Sequence, residues 1–170
     1  EIFLQRLDSL FRVTEAVLGE NASPDISGLI GQYAHGNEPS HHIAYLFTMA
    51  GAPEKTETMV RRIMAEMYKD AHDGICGNED CGQMSAWYVL SAMGFYPVNP
   101  ADGRFIIGSP VLDKVSVKLP GGNLFTVIAE GNSPEKMNVS GLFLNGKELE
   151  RNFITYEEIM AGGELRFIMK

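Results

Sequence analysis

The chain has 170 residues, of which 45% are hydrophobic and 21% are charged, a composition that predicts a folded core and excludes disorder. Acidic residues outnumber basic ones by 22 to 14 and no Lys/Arg stripe is present, so we expect no nucleic-acid partner. No apolar run approaches the roughly 18 residues of a membrane span, and no targeting signal is visible. The chain begins with Glu1, and we expect its natural N-terminus to lie upstream.

Apolar residues at helical spacing dominate the sequence before about residue 100. They predict helices over residues 2–13, 40–50, 54–68 and 82–93. Ser40 is the expected N-cap of the second helix and Gly51 its stop. The fourth helix is apolar on nearly every side, so we expect it to be buried all round and to end at Gly94.

The pattern changes to strands after residue 100. Alternation predicts strands over residues 104–107, 114–119 and 124–130 and a final strand through residues 165–169. Asn145-Gly146 predicts a two-residue hairpin, and Thr155 with Glu158 predicts a capping box before a short helix that ends at Gly162. The expected fold class is α+β, with a helical segment at residues 1–100 and a small antiparallel β unit at residues 101–170 packed on it.

Two loops, residues 33–42 and 72–81, hold most of the polar groups that folding does not require. Each is expected just before a helix, where free N–H groups and a partial positive charge favour carboxylates. Loops held by rigid elements are common places for binding and catalysis. We therefore look for chemistry in these two loops.

The first loop carries hard oxygen ligands. Asn37 and Glu38 supply side-chain oxygens, and Gly36 allows a backbone carbonyl to approach an ion, a combination that suits calcium better than zinc.

A zinc site is the alternative metal reading, because His35, Glu38 and His41 follow the pattern H-x-x-E-x-x-H. That spacing matches no zinc motif, and Pro39 interrupts the helix that would align the ligands. A purely structural alternative is a capped helix start with His41 and His42 hydrogen-bonded in the core.

The second loop carries Asn78, Glu79 and Asp80 side by side. We expect at least one of the two carboxylates to point into the same cavity as the first loop. Glycoside hydrolysis needs a pair of carboxyl groups, one to protonate the leaving oxygen and one to activate water or attack carbon. The alternative is that Glu79 and Asp80 serve only as acidic residues at a helix N-terminus.

Several neighbours of these loops have simpler expectations. Cys76 and Cys81 are spaced for neither a redox pair nor a zinc knuckle, so we favour two free thiols over a disulfide that closes the loop. Trp87 is expected in the core, together with Tyr88. Tyr33 and His35 are better placed to line a pocket.

Two segments, His35-Gly-Asn-Glu-Pro-Ser-His-His42 and Gly77-Asn-Glu-Asp-Cys-Gly-Gln-Met-Ser-Ala-Trp-Tyr-Val-Leu-Ser-Ala-Met-Gly-Phe-Tyr-Pro97, closely resemble signature segments of glycoside hydrolase family 92. Residues 124–134 and 155–169 also resemble the C-terminal end of that family. The resemblance therefore covers essentially the whole chain.

The resemblance implies a calcium-dependent, inverting exo-α-mannosidase. Members combine an N-terminal β-sandwich with a C-terminal (α/α)6 toroid, so the helices of this chain would form part of the toroid. Bacteroidetes usually export these enzymes to trim N-glycans or yeast mannan. We accordingly expect a secreted, periplasmic or outer-surface protein that acts on mannose-containing oligosaccharides, with α-1,2 linkages as the expected target.

The resemblance also assigns roles to residues. Asn37, Glu38 and the Gly36 carbonyl match the calcium-binding segment, and Asp80 matches the general base that activates water. Asn78 stands where the family often has a second aspartate. The expected substrate-binding residues are His35, Glu79 and Tyr33.

The family's general acid lies in a Glu-Gly-Asn-x-Trp-Gln-Tyr segment. Glu20-Asn21-Ala22 resembles that segment only superficially. We expect the rest of a longer parent enzyme to supply the acid and the chain alone to be inactive. The alternatives are a non-catalytic calcium- or carbohydrate-binding module and a purely structural piece.

Overall fold

A computed structural model describes residues 1–14 and 26–170. Glu20-Asn21-Ala22, the segment compared with the family's acid motif, lies outside the described residues. The four helices of the first part are α1 (Ile2–Arg12), α2 (Leu46–Met49), α3 (Pro53–Met67) and α4 (Gln83–Ala92). None of the helices in the described ranges is long and apolar enough to cross a membrane.

Three of the four predicted helices are confirmed, since α1, α3 and α4 match their predicted bounds to within one residue. The prediction that α4 is buried all round is wrong. Its inner side is buried, but Val89 is 55% exposed and Tyr88 36% exposed on the other side. Among the described residues, neighbouring elements therefore cover one face of α4 and leave Tyr88 and Val89 exposed. Gly94 follows with φ +96°, as expected for the stop.

The predicted helix over residues 40–50 is also wrong in its first half. The chain there forms two 3₁₀ turns, Glu38–Ser40 and Ile43–Tyr45, before the short helix α2. The amides of Ser40 and His41 bond carbonyls three residues back, and Ser40 caps nothing with its side chain. Pro39 opens the first turn without an N–H, which favours this tighter path. The predicted stop at Gly51 is confirmed by its φ of +84°.

The strands within the described residues form three sheets. A short hairpin pairs β1 (Leu29–Ile30) with β2 (Tyr33–Ala34). A three-stranded sheet joins β3 (Phe95–Tyr96), β4 (Arg104–Ile107) and β9 (Phe153–Thr155). A five-stranded sheet has the order β5-β6-β10-β7-β8, formed by β5 (Lys114–Lys118), β6 (Leu124–Glu130), β10 (Gly163–Met169), β7 (Val139–Leu144) and β8 (Lys147–Glu148).

The expectation of a purely antiparallel β unit is wrong for one strand pair, because β10 runs parallel to β6. Parallel neighbours need a long crossover connection, and the chain between β6 and β10 supplies it. That connection includes helix α5 (Tyr156–Ala161), whose predicted capping box of Thr155 and Glu158 is confirmed. The Asn145-Gly146 hairpin between β7 and β8 is confirmed as well.

Polar bonds join α3 to the strand-rich part. The buried Glu57 carboxylate accepts a hydrogen bond from Asn138 Nδ2 at 2.8 Å, and burial raises its pKa. Arg61 Nε donates to Ser109 Oγ at 2.9 Å. Helix α3 is thereby fixed to the segments after β4 and before β7, which holds the loops before and after α3 in place.

Candidate active site

The two predicted loops meet through their glycines. A Cβ on Gly36 would lie 2.3 Å from Ser27 Oγ and 3.1 Å from the Cys76 carbonyl oxygen. A Cβ on Gly77 would lie 2.9 Å from the Gly36 carbonyl oxygen, and Gly77 has a φ of +82°. Side chains at either position would push the loops apart, so the glycines allow them to pack directly against each other.

A chain of hydrogen bonds runs through the buried side chain of His35. Tyr68 donates its hydroxyl hydrogen to the Met84 carbonyl at 3.0 Å, so the Tyr68 oxygen accepts from His35 Nε2–H at 2.7 Å. His35 Nδ1 then accepts from the Tyr33 hydroxyl at 2.8 Å. Burial, together with the neighbouring His41, lowers the pKa of His35 to about 3. His35 is therefore a neutral imidazole that ties the first loop to α3 and α4.

His41 is a second buried imidazole, and all of its polar groups are used. Its Nε2–H donates to the His35 carbonyl at 3.0 Å, and its Nδ1 accepts from Gln83 Nε2 at 3.1 Å. Its carbonyl accepts from Trp87 Nε1 at 3.0 Å, and its amide bonds the Glu38 carbonyl. The ring stacks on that of His35 with centroids 4.6 Å apart. His41 thus joins the first loop to the start of α4.

These contacts bear on the zinc alternative and revise one sequence expectation. The pattern of His35, Glu38 and His41 gives no zinc site, because protein groups occupy both nitrogens of each imidazole. The expectation that Tyr33 and His35 line a sugar pocket does not match their placement, since His35 is 0% exposed and Tyr33 1%. We assign both to the support of the loop. The predicted core position of Trp87 is confirmed at 0% exposure.

Glu38 and Asp80 are exposed carboxylates from different loops, and both interact electrostatically with the imidazole of His41. Burial lowers the pKa of His41, and the bond to the His35 carbonyl and the charges of Glu38 and Asp80 oppose that shift. Neither carboxylate has a hydrogen bond or ion pair among the described residues. Both are therefore available to a ligand.

Asp80 occupies an unusual backbone position. It has a φ of +50°, and Cys81 follows with +56°. Side chains other than glycine rarely adopt this region, and such residues cluster where the surrounding structure must fix a group in place. Gly82, at +95°, completes the turn into α4. No residue pattern in this segment predicted the left-handed turn at Asp80.

Glu79 serves as an acidic residue at a helix N-terminus, which was the alternative interpretation of the second loop. Its carboxylate accepts hydrogen bonds from the Ser85 amide at 3.0 Å and from the Ser85 hydroxyl at 2.9 Å. It therefore satisfies the first turn of α4, while Asn78 and Asp80 beside it are exposed. Cys76 and Cys81 are free thiols, as favoured, and burial raises the pKa of Cys76.

A cleft of about 400 Å³ opens beside the first loop. The first loop, the start of α4 and the segment from β3 onward contribute to its lining. The lining residues are Glu38, Pro39, His41, His42, Gln83, Tyr96, Pro97, Val98 and Pro100. Asp80 does not line the cleft and lies at the turn just before α4. Sequence reasoning missed Gln83 and Tyr96, which are bonded to each other at 3.0 Å. The position of Gln83, directly after the turn that carries Asp80, is the one signal that could have identified it.

The first loop fits a hard cation in part. Asn37 and Glu38 place an amide and a carboxylate next to each other on the surface, as calcium prefers. The Gly36 carbonyl oxygen, by contrast, packs toward Gly77. No group of three or more His, Cys, Asp or Glu side chains that could hold a metal occurs within the described ranges. Within the part of the chain that the structure describes, the first loop therefore offers the oxygen pair of Asn37 and Glu38 rather than a full ligand set.

Comparisons with known proteins agree with the resemblance of the two loops. The family model of the glycosyl hydrolase family 92 catalytic domain matches residues 1–170. The family GH92 α-mannosidase BT3965 of Bacteroides thetaiotaomicron is 40% identical over 100% of this chain, with a TM-score of 0.90, and a structure of BT3965 in complex with mannoimidazole gives 0.92. The inverting GH92 mannosidase BT2199 of the same organism is 40% identical over 98% of the chain, with a TM-score of 0.82.

A curated relative adds a distant comparison. An uncharacterized secreted glycosidase of Arthroderma benhamiae is 32% identical over 137 residues, which is 79% of this chain. The chain spans only 18% of that protein and 22% of BT3965, or about a fifth of each. The match over every residue, the identity of 40% and the shared fold together establish that this chain belongs to glycosyl hydrolase family 92.

Proposed function

We propose that this chain is one part of a longer calcium-dependent, inverting exo-α-mannosidase, referred to below as the parent enzyme. The observation that carries the proposal is that hydrogen bonds tie both loops to His41. The His41 amide bonds the Glu38 carbonyl, and Gln83 bonds both His41 Nδ1 and the Asp80 carbonyl. Support for the substrate class comes from the complex of BT3965 with mannoimidazole, and support for inversion comes from BT2199, an inverting mannosidase.

In this proposal Asn37 and Glu38 hold calcium. The two residues are consecutive in the chain and exposed, and their side-chain oxygens are of the type that calcium prefers. Calcium would supply a positive charge that binds sugar hydroxyl groups. The remaining oxygen ligands would come from water, sugar and other parts of the parent enzyme.

Asp80 is the proposed general base. Its carboxylate is exposed and makes no hydrogen bond or ion pair within the described ranges, so it is free to accept a proton from water. Asp80 lies in the left-handed turn just before α4, a backbone position that ordinary side chains rarely adopt. Asn78, two residues earlier, cannot act as a base because its amide does not accept a proton near neutral pH.

The general acid is proposed to come from residues of the parent enzyme beyond this chain. Inversion requires an acid and a base roughly 6.5–9.5 Å apart on opposite sides of the sugar, with room for water. We propose that Asp80 provides the base side only, so the 170 residues alone do not turn over a mannoside.

The proposed substrates are α-1,2-linked mannosides of N-glycans or mannan, and the proposed location is outside the cytoplasm. Support for the location comes from the secreted glycosidase of Arthroderma benhamiae.

The direct test is hydrolysis of α-1,2-mannobiose by the parent enzyme, followed by proton NMR of the released mannose. The proposal predicts β-mannose as the first product, loss of activity with a calcium chelator and its return with added calcium. Release of α-mannose first, or full activity in chelator, would contradict it. If the parent protein binds calcium and mannose but does not hydrolyse the mannoside, the alternative function, a non-catalytic carbohydrate-binding module, is supported instead.

A further inference from the structure

Gln83 connects the two segments that carry the carboxylates of the candidate site, Glu38 and Asp80. Its backbone amide donates to the Asp80 carbonyl at 3.2 Å, and its side-chain Nε2 donates to His41 Nδ1 at 3.1 Å. The amide of His41 in turn bonds the Glu38 carbonyl at 3.0 Å. One residue therefore links the turn that carries Asp80 to the loop that carries Glu38.

The Gln83 side chain is itself held in one orientation. One amide hydrogen goes to His41, and the other goes to the Tyr96 hydroxyl at 3.0 Å. His41 cannot rotate to follow a displaced Gln83, because its Nε2 is bound to the His35 carbonyl and its ring stacks on His35. The link has rigid partners at both ends.

We infer that Gln83 is a positioning residue that sets the distance between the Asp80 carboxylate and the Glu38 carboxylate. The inference rests on the proposed function, in which Asp80 activates water and Glu38 holds the ion that binds the sugar. Gln83 touches neither of these carboxylates with its side chain. It acts through His41 and through its own backbone bond to Asp80.

A small displacement at this point has a large expected effect. Water must lie within hydrogen-bond reach of the base while the sugar remains on the ion, and an error of about 1 Å in such an arrangement costs roughly 100-fold in rate. Without the Gln83 link, the first loop could still bind calcium and sugar, and Asp80 could still bind water. The expected result is slower turnover with little change in binding.

The test uses two variants of the parent enzyme. Gln83→Met keeps the length of the side chain and removes both donors. Ser91→Ala is the matched control, because it removes another buried side-chain bond of α4, from the Tyr45 hydroxyl to Ser91 Oγ at 2.8 Å, outside the cleft. Both variants are measured for melting temperature, kcat, KM and the calcium concentration at half activity.

The inference predicts that Gln83→Met lowers kcat by about tenfold or more while KM and the calcium midpoint change by less than about threefold. Ser91→Ala is expected to lower the melting temperature to a similar degree and to keep kcat within about twofold of wild type. Unchanged kcat in Gln83→Met, or an equal loss in Ser91→Ala, would overturn the inference. If Gln83→Met does not fold, Gln83→Asn, which keeps the amide but shortens its reach, takes its place with the same expected results.

A second measurement separates this inference from the proposed function. If wild-type parent enzyme hydrolyses no mannoside, the proposed function fails, and the link is judged by melting temperature alone. Gln83→Met and Tyr96→Phe both remove the bond between Gln83 and Tyr96. The melting temperature of the double variant should therefore fall by less than the sum of the falls in the two single variants. Additive losses would show that Tyr96 does not hold the Gln83 side chain in its orientation, and this result would overturn the inference.

Discussion

The carboxylates of Glu38 and Asp80 lie on different loops and act on the same buried imidazole, that of His41. Both oppose the lowering of the His41 pKa by burial. The His41 amide bonds the Glu38 carbonyl, and Gln83 bonds both His41 Nδ1 and the Asp80 carbonyl. His41 is bound by hydrogen bonds to the first loop and to α4. The chain therefore brings an oxygen ligand and a candidate base together through a rigid, neutral side chain.

Glu38→Gln should weaken calcium binding by the parent enzyme. The substitution removes the negative charge from the oxygen pair while it keeps the size of the side chain, so we expect the calcium affinity to fall by about tenfold or more. Calorimetric titration measures the change. Glu66→Gln is the control, because that carboxylate lies on the surface of α3 in an ion pair with Arg62. Equal calcium affinity in wild type and Glu38→Gln would remove Glu38 from the proposed site.

His35 should make the protein less stable in acid. Its pKa is about 3 in the folded state against an ordinary value of 6.5, so between these two values the unfolded chain binds a proton that the folded chain does not. The free energy of unfolding therefore falls as the pH drops from 6.5 toward 3, by up to about 1.4 kcal/mol per pH unit from this group. Urea denaturation at pH 7, 6 and 5 measures the slope.

The control for this pH dependence compares two histidines. His35→Gln should reduce the slope, although it also destabilises the fold, because the hydroxyls of Tyr33 and Tyr68 lose a partner. His72→Gln should leave the slope as it is, since His72 is exposed. A slope that is the same in His35→Gln as in wild type would contradict the assignment of His35 as the group responsible.

Gly77→Ala should separate the two loops, and Gly51→Ala provides a matched comparison. Both glycines have a positive φ, +82° and +84°, so alanine costs a similar amount of backbone strain at either position. Only at Gly77 would the added Cβ also meet the Gly36 carbonyl oxygen, at 2.9 Å, and Ser27 Oγ, at 3.0 Å.

We expect Gly77→Ala to lower the melting temperature of the parent enzyme more than Gly51→Ala and to lower kcat, while Gly51→Ala keeps it. Thermal unfolding and a mannoside assay measure the two effects. Equal behaviour of the two variants would mean that the close packing of the loops has no bearing on the site.

Local pattern predicted much of this fold. Helical spacing predicted α1, α3 and α4, and short-range turn signals predicted the Asn145-Gly146 hairpin and the capping box of Thr155. The parallel pairing of β6 with β10 could not be predicted in this way. The two strands are far apart in sequence, and no local signal determines the order of the strands in the sheet. The exposed side of α4 was missed because an apolar helix gives no indication of which neighbours cover it.

The sequence predicted which loops carry the candidate site, but it predicted only part of how their residues are arranged. The pattern identified Glu38 as a candidate oxygen ligand, and the family resemblance selected Asp80 as the base. In the structure Glu38 lines a cleft with His41, and Asp80 is joined to His41 through Gln83. Pattern could not show that His35 and Tyr33 face inward, because their burial depends on Tyr68 and Trp87 from other elements. Short-range analysis assigned His41 an alternative core role and missed Gln83, since the bond between them joins two distant segments.

The most direct test of the account is the activity of Asp80→Asn in the parent enzyme, beside Asp73→Asn as a control from the same loop. Asp80→Asn keeps the shape of the side chain and removes its ability to accept a proton. The account predicts that kcat for α-1,2-mannobiose falls by roughly 100-fold to 10,000-fold in Asp80→Asn with KM nearly unchanged, while Asp73→Asn retains wild-type activity. Wild-type kcat in Asp80→Asn would contradict the account.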